Sequence, residues 1–67
     1  MEIIFNNQKE KCTEPVSLEE LMKQKGMFEK TGIAVAVNLK VQSKNEWNNL
    51  EIKEGDSIIV ISATAGG

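Results

Sequence analysis

Residues 57–67 read "SIIVISATAGG". In the stretch 57–61, Ser57 is followed by four apolar, β-branched residues with no polar alternation, the pattern of a strand buried in the middle of a sheet. Beyond it the chain passes through Ser62, Ala63, Thr64 and Ala65 into Gly66 and Gly67. Glycine is the least ordered residue type, so the division expected is a domain over 1–63 and a flexible tail over 64–67. A last strand that is also a central strand requires neighbours from earlier in the chain on both sides.

Working outward, those neighbours can be found. "MEIIFNN" (1–7) is a short apolar run ended by two asparagines, a strand followed by a turn. "KEKCT" (9–13) reads as the returning strand of a hairpin, closed by Pro15. In "SLEELMKQKG" (17–26), Ser17 followed three residues later by Glu20 forms a capping box, and Gly26 suits the helix end. Leu18, Leu21 and Met22 fall on one helical face. "GIAVAVN" (32–38) is a further strand, which Asn38 and Leu39 turn into a hairpin with "KVQS" (40–43). A less regular stretch around Trp47 and an "EGD" turn (54–56) lead to the final strand. One helix covers one face of a four- or five-stranded sheet, which defines an α+β, two-layer β-grasp fold with the first and last strands side by side in the middle.

Composition narrows the chemistry. The chain has 67 residues and a formal net charge of −2. One small core of this size is marginally stable and leaves no room for an elaborate enclosed active site. The lysines are scattered among acidic residues, so a nucleic-acid interface built on phosphate contacts is not expected. With a single cysteine, Cys12, and no histidine or tyrosine, no internal disulfide, Cys-based metal site, or Ser-His-Asp or Cys-His pair can be assembled. No run approaches the roughly 20 apolar residues of a membrane span, and the start lacks the form of a signal peptide. A cytoplasmic protein without catalytic side chains, bound cofactor or metal is expected.

Strand alternation adds one feature. If Ile3 and Phe5 point at the helix, Ile4 points away; if Ile58 and Val60 point inward, Ile59 and Ile61 point outward. Ile4, Ile59 and Ile61 then form an apolar patch on the uncovered face, a candidate partner surface.

In order and spacing, "IIFNNQ", "GIAVAVN", "KNEW" (44–47), "EGDSI" and the terminal "AGG" resemble the small sulfur carrier proteins of thiamin biosynthesis, which are ubiquitin-like β-grasp proteins. The resemblance covers essentially the whole chain. It implies a substrate of other enzymes rather than an enzyme. The α-carboxylate of Gly67, with Gly66 beside it, would be adenylated with ATP by a ubiquitin-activating-type adenylyltransferase. A sulfur donor such as a cysteine desulfurase would then convert it to a thiocarboxylate, and thiazole synthase would receive the sulfur. Thr64 and Ala65 would be tail contacts to those partners. Four extended residues, 64–67, span at most about 14 Å, and two residues without Cβ atoms let the backbone pass a narrow channel. The family usually carries Pro-Arg a few residues before the tryptophan. Here those positions are Ser43 and Lys44, and lysine cannot reproduce arginine's bidentate contacts.

The same tail would serve the small subunit of molybdopterin synthase, whose members are often longer and carry prolines before the glycines; "ISATAGG" has none. A ubiquitin-like modifier joined through Gly67 to lysines, and a noncovalent β-grasp binding module, are the other readings. Cys12 reads as a half-buried strand residue, Trp47 as a packing plug, Glu19, Glu20 and Lys23 as a solvated helix face, and Asp56 as a turn residue.

Overall fold

The computed structural model describes residues 1–13 and 16–62. Strand β1 (Glu2–Phe5) pairs antiparallel with β2 (Gln8–Lys11), with Phe5 opposite Gln8 and Ile3 opposite Glu10. The two residues between them, Asn6 and Asn7, have φ of 50° and 70°. Both lie in the left-handed region that a two-residue hairpin needs for its twist to match its strands, and asparagine tolerates it. Pro15 lies outside the described residues.

Helix α1 (Leu18–Gln24) starts as its sequence dictates. Ser17 Oγ accepts from the Glu20 N–H and Glu20 Oε1 accepts from the Ser17 N–H, both at 3.1 Å. Its end is a Schellman motif: Met27 N–H donates to Met22 C=O at 2.9 Å and Gly26 N–H to Lys23 C=O at 3.0 Å. Gly26 sits at φ 72°, which reverses the chain at no steric cost.

Two short strands that the sequence did not announce flank the helix. β3 (Val16–Ser17) pairs antiparallel with β6 (Glu51–Ile52) in a separate two-stranded sheet. Two-residue strands are too short to carry a period. The main sheet is completed by β4 (Ile33–Val37), β5 (Lys40–Gln42) and β7 (Ser57–Ser62), in the order β2-β1-β7-β4-β5. The last strand is therefore the central one, parallel to β1 and antiparallel to β4. The irregular stretch around Trp47 is a 3₁₀-helix, Lys44–Asn49.

Ile3, Leu18, Leu21, Met22, Val35 and Ile58 are fully buried between the sheet and the helix, joined by Phe5, Val37, Ile52 and Trp47. Trp47 closes one end, its Nε1 donating to the Gln42 carbonyl at 3.1 Å and its ring meeting Phe28 edge-on at 6.3 Å between centroids. No polar or charged side chain is buried among the described residues. No helix among them is long and apolar enough to cross a membrane.

Candidate functional site

The site expected from the sequence has two parts, the tail and the outer face of the sheet. The tail residues Thr64, Ala65, Gly66 and Gly67 lie outside the described residues. Among the described residues the chain before them is β7, which ends at Ser62, flanked by β1 at Ser57 and Ile58 and by β4 from Ile58 to Ser62.

The outer face follows from register. Ile4 pairs with Ser57, Ile59 with Ala36, and Ile61 with Ala34, and directly paired residues share a face. On the opposite side of the sheet, Ile58 pairs with Phe5 and Val37, so the buried core fixes which side is inward. Ile4, Ile59 and Ile61 therefore lie together on the uncovered face. Ile4 and Ile59 are half-buried, while Ile61 is 49% exposed. The patch is wider than the three isoleucines. Val41, opposite Ala36 across the β4–β5 hairpin, continues the row and is 63% exposed. On the other flank Lys9, opposite Ile4, borders it with charge. Val41 was missed because a single valine in "KVQS" carries no face of its own. The signal was available in the two-residue Asn38–Leu39 turn, which sets its partner.

Other singled-out residues resolve into structure. Asp56 holds the turn before β7, with Oδ2 accepting from Lys53 N–H at 2.8 Å and Oδ1 from Asn38 Nδ2 at 2.9 Å. Glu19 pairs with Lys23 on the solvated helix face at 3.3 Å. Lys44 lies over Phe28, 4.7 Å from the ring centroid, and 5.9 Å from that of Trp47, so the residue standing in for the usual arginine packs against the aromatic pair. Cys12 is half-buried beside the core. No group of three or more metal-ligating side chains occurs among the described residues.

A mixed five-stranded sheet with one helix across one face, the parallel first and last strands adjacent at its middle, is the ubiquitin-like β-grasp fold. The model of the ThiS family matches residues 2–67, and the chain belongs to that family. It is 30% identical over 67 residues to the sulfur carrier protein ThiS of Escherichia coli (strain K12), covering 100% of both chains. The crystal structure of the thiamine biosynthesis protein (ThiS) from Geobacter metallireducens superimposes with a TM-score of 0.87 over 100% of each chain, at 19% identity, which bears on the fold alone.

Proposed function

We propose that this chain is the sulfur carrier of thiazole formation in thiamin biosynthesis and that the α-carboxylate of Gly67 is its reacting group. The observation that carries the proposal is the match to the ThiS family over residues 2–67, which includes the terminal Gly66 and Gly67. A relative described as a sulfur carrier, aligned over the full length of both chains, supports it.

The chemistry explains why the chain needs no acid, base or nucleophile of its own. A carboxylate is a poor electrophile, and sulfur cannot displace its oxygen directly. In the proposed sequence a carboxylate oxygen of Gly67 attacks the α-phosphorus of ATP on the activating enzyme and pyrophosphate leaves. The terminal sulfur of a donor persulfide then attacks the acyl carbon and expels AMP. A second thiol cleaves the resulting acyl disulfide, leaving the thiocarboxylate that thiazole synthase consumes. The fold's part is presentation: a central strand anchors the lead to Gly67 while separate active sites handle the end.

The patch of Ile4, Ile59, Ile61 and Val41 is the proposed docking surface for the activating enzyme. An ATP–pyrophosphate exchange assay with the cognate adenylyltransferase tests the first step. The full chain is expected to support exchange and a chain lacking Gly67 to abolish it; equal exchange by both would refute Gly67 as the adenylated residue.

A further inference from the structure

The two flanks of β7 are covered unequally. β4 pairs with it from Ile58 to Ser62, whereas β1 reaches only Ser57 and Ile58. Hydrogen-bond alternation decides which backbone groups face the uncovered flank. Asn38 N–H donates to the Ser57 carbonyl at 2.8 Å, so Ser57, Ile59 and Ile61 bond toward β4. Ile58, Val60 and Ser62 then bond toward the β1 side. Two contacts agree with this assignment: Asn6 N–H donates to the Ile58 carbonyl at 2.8 Å, and Val60 N–H donates to Asn6 Oδ1 at 2.9 Å. The Asn6 side chain thus stands in for one strand residue where β1 turns away. Beyond it, the Val60 carbonyl and the Ser62 N–H open sideways from the sheet, and no hydrogen bond among the described residues reaches either.

An acceptor and a donor spaced like this on the flank of a central strand form a template for one more strand. We propose that the edge at Val60–Ser62 receives an extended backbone segment of the activating enzyme, which donates to the Val60 carbonyl and accepts from the Ser62 N–H. The inference rests on the carrier reading and deepens it by naming a second contact with the same partner. Magnitude argues against a second copy of this chain as the occupant. Each such bond is worth roughly two- to tenfold in affinity, too little for two edges of this chain to hold a dimer by themselves. It suits a partner already engaged through the apolar face and the tail. The residue opposite Ile61 in the added strand shares the outer face with Ile59 and Ile61, so that residue is expected to be apolar and its two neighbours polar.

The test reads the Ser62 amide directly. Its hydrogen exchange is followed by NMR on the labelled chain, alone and with the cognate adenylyltransferase in the absence of ATP. Slowing on the order of tenfold or more in the complex is expected. Ser62→Pro removes an N–H that no strand among the described residues uses. It is expected to leave the thermal midpoint within a few degrees and to raise the KM for the carrier in adenylation roughly two- to tenfold. An amide-to-ester analogue at Ser62, made by chemical ligation, removes the same N–H without the proline ring and is expected to match that rise. A carrier that is adenylated while its Ser62 amide exchanges as freely in the complex as alone, or whose ester analogue keeps a normal KM, overturns the pairing and leaves the carrier reading standing. A chain that is never adenylated overturns both.

Discussion

Leu39 is the residue whose local conformation and chemistry disagree most. It occupies the second position of the β4–β5 turn at φ 71° and is 87% exposed. A side chain with a Cβ pays about 1–2 kcal/mol in the left-handed region, and burial recovers none of it here. Glycine at that position would give Asn-Gly, the preferred two-residue hairpin turn. Leu39→Gly is therefore expected to stabilise the domain by about 0.5–1 kcal/mol once glycine's larger unfolded-state entropy is subtracted. Differential scanning calorimetry should show a rise of several degrees, on the scale of 4–8 °C per kcal/mol for about 60–100 residues. Asn38 beside it is the opposite case. Its φ is 52°, its Oδ1 accepts from Ser57 N–H at 3.0 Å, and its Nδ2 reaches Asp56. Asn38→Gly keeps the backbone conformation and loses both side-chain bonds, so a loss of about 1–2 kcal/mol in urea unfolding is expected. Asn38→Ala should cost more, because it adds the left-handed strain. "Asn-Leu" was legible as a turn; its tie to the turn before β7 was not, because that contact joins residues 18 positions apart.

At the scale of elements, helix α1 was the most legible part of the chain. It is only 7 residues long, too short to be stable alone. Its capping box and its buried stripe of Leu18, Leu21 and Met22 hold it in place. Ser17→Ala removes one half of the box and should cost about 1 kcal/mol, measured as a shift of the urea midpoint without a change in slope. The strands of the main sheet could be read from apolar alternation and from the Asn-Asn and Asn-Leu turns, and their order from the apolar character of the first and last strands. The β3–β6 pair and the 3₁₀-helix were not readable. Their stability comes from tertiary contacts such as Leu18 N–H to Leu50 C=O at 2.8 Å and the Trp47 indole on Gln42, not from local pattern. The outer face illustrates the same division. Alternation placed Ile4, Ile59 and Ile61 on one side, but adding Val41 required the β4–β5 register. Ile61→Asp puts a charge on the exposed part of that face and should leave the fold intact by circular dichroism. If the face docks the activating enzyme, the variant should weaken adenylation by about tenfold, the scale of one isoleucine's lost burial plus a carboxylate's desolvation.

For the whole molecule, one continuous core under one helix means that the sheet and the 3₁₀ segment share their stability. Trp47 is the single tryptophan and is 3% exposed, packed at the edge of that core. Its fluorescence should therefore report global unfolding, and its transition in urea should coincide with that of the far-ultraviolet circular dichroism. Separate transitions would show that the Lys44–Asn49 segment comes apart independently. The fold as a whole was legible because a 67-residue chain with one helix has few ways to cover a sheet. The backbone groups left open beside β7 were not legible, since they depend on where β1 stops relative to β7, which only the register reveals. Both features lie on the same strand: β7 carries the outward isoleucines Ile59 and Ile61 and, beyond Ile58, an open flank.

The central claim is that Gly67 carries sulfur, and intact-mass spectrometry tests it most directly. The full chain is incubated with ATP, its cognate adenylyltransferase, a cysteine desulfurase and cysteine, and its mass is compared with that of the untreated chain. Replacement of one oxygen by one sulfur, mapped to residue 67 by fragmentation and lost when Gly67 is deleted, is the predicted result. An unchanged mass, or an isopeptide-linked partner protein in place of the sulfur, would contradict it.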